Sequence, residues 1–258
     1  MFLVDSHCHL DMLDLTPYAG DLDQAVQSAR ALGVGHILNV CVSMKDFPQV
    51  LATAKKYPFV SASVGLHPNE QDEETSAEEL IALAEDEKVV AIGETGLDYY
   101  RSSGELEWQK QRFREHIAAS KKTDCPLIVH SRQAPADTIR LLKEDAGVAG
   151  VLHCFTEDWD MASQALDLGF YISFSGIVTF RNAASIQEVA KRMPLERMLL
   201  ETDSPYLAPI PNRGKPNEPA FIVHTAQYIA DLRGVASEQL AETTTANFFS
   251  LFKRAKHV

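Results

Sequence analysis

The chain has 258 residues, 45% hydrophobic and 23% charged, an ordinary globular composition with enough length to bury a large core. Its formal charge is −12, from 24 basic and 36 acidic residues. That balance repels nucleic acid at long range and argues against a tight, non-specific duplex binder, while leaving room for a site made locally positive by bound cations.

No apolar run has the length of a bilayer span, so no membrane partner is expected. The first apolar stretch is broken by Asp5 and follows no basic region, so no signal peptide is expected either. Cys8, Cys41, Cys125 and Cys154 form no C-x-x-C pair. They read as reduced, buried thiols of a cytoplasmic protein.

Taken in chain order, eight short apolar runs recur at 2–5, 36–40, 59–64, 89–93, 126–130, 150–153, 170–174 and 198–201. They are nearly continuous rather than alternating, as strands buried on both faces should be. Helical periodicity fills the gaps at 21–32, 45–56, 76–87, 105–122, 135–146, 159–168, 183–192 and 219–232. A last helix is expected over 237–252, packed on the outside or the bottom. Ser76 with Glu79 reads as a capping box, and Gly33, Gly147 and Gly169 stand where helices should end. Strand and helix alternating eight times predicts an α/β fold, a (β/α)8 barrel, as one domain over 1–258.

In such a barrel, chemistry collects at the C-terminal strand ends. The first run leads into His7-Cys8-His9, whose two imidazoles share a face because strand side chains alternate. A His-x-His pair alone equally suits a packed strand end, but potential ligands recur at the ends of the other strands. The third run delivers His67, the fourth Glu94, the fifth His130, the sixth His153, and the eighth Glu201 and Asp203. Such side chains are costly to bury unless paired or bound to metal. Four imidazoles and two carboxylates suit two divalent cations. The expected arrangement puts His7, His9 and Asp203 on one ion and His130 and His153 on the other, with Glu94 bridging. Mixed nitrogen and oxygen donors favour Zn2+, Mn2+ or similar ions over calcium, and the sequence does not choose among Zn2+, Mn2+ and Mg2+. His36 starts its strand at the opposite end, and His116, His224 and His257 lie on helices or the tail, so no role is assigned to them.

These motifs, read together, resemble the TatD-type metal-dependent hydrolases, and within them a bacterial YcfH-like branch. The likeness spans essentially the whole chain. It is carried by Asp5-Ser6-His7-Cys8-His9-Leu10-Asp11, Gly65-Leu66-His67-Pro68, Gly93-Glu94-Thr95-Gly96-Leu97-Asp98, Val129-His130-Ser131-Arg132, Leu152-His153-Cys154-Phe155 and Glu201-Thr202-Asp203-Ser204-Pro205, with Arg213-Gly214-Lys215-Pro216-Asn217 after them. The resemblance implies a TIM-type barrel of the amidohydrolase superfamily. It also implies metal ligands at His7, His9, Glu94, His130, His153 and Asp203, and deoxyribonuclease activity, 3′-to-5′ exonucleolytic in some members.

The expected reaction is attack of metal-activated water on the phosphorus of a DNA end, with Asp203 as general base and then proton donor. His67 is expected to orient the scissile phosphate, and Glu201 to orient a ligand or water. Arg132, Arg181, Arg213 and Lys215 are expected to hold flanking phosphates, and Tyr99 or Tyr100 to stack a base. One rival reading is a metal-dependent hydrolase of carbon esters, lactones or amides, an aminoacyl ester on tRNA among them. A second is a binding module in which metal is only structural. No protein partner is indicated.

Overall fold

Every apolar run becomes a strand in the computed structural model of the chain, which describes residues 1–145 and 147–257. The first half contains β1 (Leu3–Cys8), α1 (Leu22–Ala31), β2 (Val34–Asn39), α2 (Phe47–Lys56), β3 (Val60–Val64), α3 (Ala77–Leu83), β4 (Val89–Asp98) and α4 (Glu107–Thr123). The second contains β5 (Leu127–Arg132), α5 (Pro135–Glu144), β6 (Gly150–Leu152), α6 (Trp159–Asp167), β7 (Tyr171–Phe174), α7 (Ala184–Arg192), β8 (Met198–Leu200), α8 (Ile222–Arg233) and α9 (Ser237–Leu251). Ala146, the last residue of the helix expected over 135–146, and Val258 lie outside the described residues.

The strands are parallel and adjacent in chain order, from β1 round to β8. The amide of His9 donates to the Ser204 carbonyl and that of Asp203 to the His7 carbonyl, both at 2.9 Å, and these bonds join the two ends of the sheet. Asp5 reinforces the seam. One of its carboxyl oxygens accepts the Thr202 amide at 2.9 Å and the other lies 2.6 Å from the Thr202 hydroxyl. The result is the expected TIM-type barrel.

The helix ends follow local chemistry. Ser76 accepts from the Glu79 amide at 3.2 Å, while the Glu79 carboxylate takes the Thr75 hydroxyl at 3.0 Å. Gly33, Gly147 and Gly169 all have positive φ, as helix-ending glycines should. Helix α3 stops at Leu83, short of the expected 87. One apolar cluster lies between strands and helices; a second, built from Val4, Leu38, Val90, Ile128, Val151 and Leu199, fills the barrel interior and is closed from below by Phe248 of α9 and Phe252 just after it. All four cysteines are free thiols, and among the described residues no helix is long and apolar enough to cross a membrane.

β4 departs from expectation in a way that matters for the site. It runs on past Gly93 to Asp98 instead of ending there. Gly93 and Gly96 have φ of 141° and 127°, values that side chains disfavour. A Cβ at Gly93 would stand 2.6 Å from the Ile128 carbonyl oxygen, so the glycine lets β5 approach closely. The register shifts between Ile92 and Thr95 and then resumes, with Gly96 opposite His130 and Asp98 opposite Arg132.

Candidate metal centre

The six expected ligands and His67 converge at the C-terminal mouth of the barrel. Glu94 is at the centre, with its two oxygens facing opposite ways. Oε2 lies 3.3 Å from Nε2 of His7. Oε1 lies 2.8 Å from Nε2 of His153, 3.1 Å from Nδ1 of His130 and 3.2 Å from Nε2 of His67. On the Oε2 side, Oδ1 of Asp203 is 3.8 Å from Nε2 of His7 and 3.7 Å from Nε2 of His9.

Hydrogen-bond partners decide which ring nitrogens can offer a lone pair to a cation. Nδ1 of His9 is 3.0 Å from the Val40 carbonyl oxygen, so it carries the proton and Nε2 is free. Nε2 of His130 is 3.3 Å from the Asp98 carboxylate, which leaves Nδ1 free toward Glu94. Nδ1 of His153 faces Oε1 of Glu201 at 3.5 Å, at the outer limit of such a contact. Outer partners of this kind orient metal-binding histidines and fix their tautomers. His67 is the reverse case. Its Nδ1 accepts the Asn69 amide at 3.1 Å, so the neutral ring carries its proton on Nε2 and points a donor at Glu94.

The cluster fits divalent cations. Nε2 of His7 and Nε2 of His9 face each other at 3.3 Å, an arrangement that repels when both are lone pairs and is relieved by a cation between them. Three groups bring their donor atoms within 4.8 Å of one another: His7, His9 and Glu94; His7, His153 and Asp203; and His67, Glu94 and His130. His67 thus stands within the cluster rather than outside it, but as a donor.

Burial pushes the Glu94 carboxyl up, yet His153, His67 and His130 outweigh it and hold it well below the ordinary range. Asp203 is likewise lowered, against burial, by His9 and His7. Both are ionised at neutral pH. Burial lowers His67, with Glu94 opposing. Side chains of His7, His9, His153 and Glu94 are at most 4% exposed, whereas Asp203, His67 and His130 reach 14%, 16% and 19%. Asp203, His67 and His130 are thus the solvent-facing side of the cluster.

Other groups hold the centre in place. Glu201 Oε1 accepts the Cys154 amide at 2.6 Å and faces His153, so it acts through that ring. Asp98 was not among the expected site residues. Its Oδ2 takes His130 and Asn69, and its Oδ1 takes the Tyr100 and Arg101 amides. The period-2 series Glu94, Gly96, Asp98 pointed to it once the strand was known to continue. His116, given no role from sequence, accepts the Leu66 amide at 3.0 Å, and Arg112 donates to the His67 carbonyl at 3.2 Å. Together they pin the loop that carries His67. Asn217 clamps the loop after β8 by donating to the carbonyls of Thr202 and Tyr206.

The outer residues are placed unevenly. Tyr99 is half-buried, its hydroxyl bonded to Asp137 at 2.7 Å, while Tyr100 is exposed beneath the Arg132 guanidinium, 4.1 Å from the ring centroid. Arg213 lies over Phe180 at 4.3 Å, and Arg181 and Lys215 are exposed.

Residues 4–253 match the family model described as TatD related DNase. The chain is 48% identical over 254 residues to the uncharacterized metal-dependent hydrolase YcfH of Escherichia coli K12, covering 98% of this chain and 96% of that one. An uncharacterized metal-dependent hydrolase of Buchnera aphidicola is 45% identical, with the same coverage. The crystal structure of YJJV, a TatD homolog from Escherichia coli, superposes with a TM-score of 0.90 at 31% identity, over 97% of this chain and 98% of that one. With its cluster of imidazoles and carboxylates at the mouth of the barrel, the chain belongs to the TatD family and is a metal-dependent hydrolase.

Proposed function

We propose that the protein is a deoxyribonuclease that removes nucleotides from single-stranded DNA ends in the 3′-to-5′ direction. The observation that carries this reading is the placement of the unpaired arginines. Eight of the twelve arginines are engaged with carbonyls or carboxylates of the protein. Arg101, Arg132, Arg181 and Arg213 have no such acceptor among the described residues, and all four lie on segments that leave the C-terminal ends of β4, β5, β7 and β8. A chain of net charge −12 thus keeps its unpaired guanidinium groups around the metal centre. Guanidinium suits phosphate oxygens, and a polyphosphodiester offers several, whereas a small ester or amide offers none.

His7, His9 and Asp203 would hold one divalent cation and His130 and His153 a second, with Glu94 between them. When bound, Zn2+, Mn2+ or Mg2+ supplies Lewis acidity and lowers the pKa of water. The protein does the rest. Asp203 takes the proton from the attacking water and returns it to the 3′ oxygen that leaves as the bond to phosphorus breaks. The Nε2 proton of His67 is presented to a non-bridging phosphoryl oxygen, which gains charge in the transition state. Glu201 holds His153.

The test is cleavage of a 5′-labelled single-stranded DNA by metal-loaded protein, with and without chelator, beside Asp203→Ala. Shortening from the 3′ end that requires metal and vanishes in the variant supports the reading. DNA left intact by folded, metal-loaded protein that hydrolyses an aryl ester instead would overturn it and put carbon esters first.

A further inference from the structure

We infer that Tyr206 and Tyr100 are base-stacking subsites on opposite sides of the scissile phosphate, an inference that rests on the nuclease reading above. Among the described residues they are the only phenylalanine, tyrosine or tryptophan side chains that are mostly exposed, Tyr100 at 58% and Tyr206 at 54%. Both stand at the mouth of the barrel, at opposite ends of the metal cluster. The Tyr206 ring lies beside His9, with centroids 6.3 Å apart. Tyr100 hangs by its amide from Asp98, whose other oxygen orients His130.

Neither hydroxyl has an oxygen or nitrogen partner among the described residues. Tyr18, Tyr57 and Tyr99 place their hydroxyls on carboxylates, whereas the Tyr206 hydroxyl reaches only the Met12 sulfur, at 4.0 Å. The backbones, by contrast, are fixed. The Tyr206 amide donates to the Asp203 carbonyl at 2.8 Å, and its own carbonyl accepts from Asn217. An aromatic face held in water beside a catalytic centre is a platform for another flat ring, and bases stack on such platforms with little regard to sequence. Arg132 already covers one face of Tyr100, so a base would stack on the other, with the cation behind the ring. Two separated platforms need two bases that are free of each other, so they select unstacked single strands over duplex.

The experiment measures steady-state cleavage of three single-stranded oligonucleotides: one intact, one abasic at the 3′-terminal nucleotide and one abasic at the penultimate nucleotide. Wild type, Tyr206→Ala, Tyr206→Phe and Tyr100→Ala are compared, all metal-loaded. Each alanine variant should lose about tenfold or more in kcat/KM on the intact strand, mainly through KM. Each should match wild type on one abasic strand, and the two variants should match it on different ones. Tyr206→Phe should behave as wild type. If wild type cleaves all three strands and both alanine variants equal it throughout, the subsites are refuted while the nuclease reading stands. If wild type cleaves none of them, the nuclease reading falls and takes the subsites with it.

Discussion

Oδ2 of Asp98 lies 3.3 Å from Nε2 of His130, which leaves Nδ1 of that imidazole 3.1 Å from Oε1 of Glu94. Burial alone would raise the Asp98 carboxyl, but His130, the Arg101 amide and Asn69 outweigh it and hold the group ionised. Asp98 therefore sets both the angle and the tautomer of His130. Asp98→Ala should lower metal affinity about 10- to 100-fold, with hydrolysis regained at excess metal. Metal titration by calorimetry checks this, and an unchanged affinity would remove Asp98 from the site.

His67 and His130 both face Glu94 Oε1, yet they should fail differently. His67→Ala removes a hydrogen-bond donor and should cut kcat about 100-fold or more with metal content unchanged. His130→Ala removes a lone pair and should lose metal. Elemental analysis beside kcat separates the two, and His67→Gln, which keeps a donor, should recover part of the loss.

The unpaired arginines should appear in the salt dependence of binding. For single strands, each phosphate neutralised contributes about −0.7 to the slope of log K against log salt. Arg132→Ala and Arg213→Ala should each make the slope less steep by about that amount and weaken binding at low salt. Fluorescence anisotropy with metal-loaded protein and a labelled oligonucleotide whose phosphorothioate linkages keep the charge but resist cleavage gives the slopes.

Asp5 makes stability depend on pH. Burial pushes its carboxyl up to about 8, against an ordinary value of 3.8, despite the bonds from Thr202. The folded chain keeps this proton up to about pH 8, whereas the unfolded chain releases it near pH 4. Stability from this group is therefore lost as pH rises between those values. In Asp5→Asn that component should vanish, so the thermal midpoint of the variant should gain on wild type from pH 5 to pH 8. A constant difference across that range would contradict the buried-proton account.

The barrel was legible in the sequence because its strands are buried on both faces and so read as unbroken apolar runs. The cluster of imidazoles and carboxylates was legible for a related reason. Imidazoles and carboxylates that end apolar strands stand out where water is excluded, and His7, His9, Glu94, His130, His153 and Asp203 all meet at one mouth. The end of β4 was not legible, because a glycine ordinarily stops a strand. Only the close approach of Ile128 shows Gly93 to be a passage toward Asp98.

What the sequence determined by itself was the class of each element and the chemistry available at each strand end, since both depend on residue type and local period. Tertiary structure decided how each side chain is used. His67 and His9 are the same residue type at the same mouth. One meets the Asn69 amide and becomes a donor, while the other meets the Val40 carbonyl and offers a lone pair. Tyr99 and Tyr100 are adjacent, and only Asp137 on α5 decides that the first is tied down and the second left in water. Tautomer, exposure and pairing are set by groups far away in the chain. Their physical cause is the meeting of polar atoms in space, which only the closed barrel brings about.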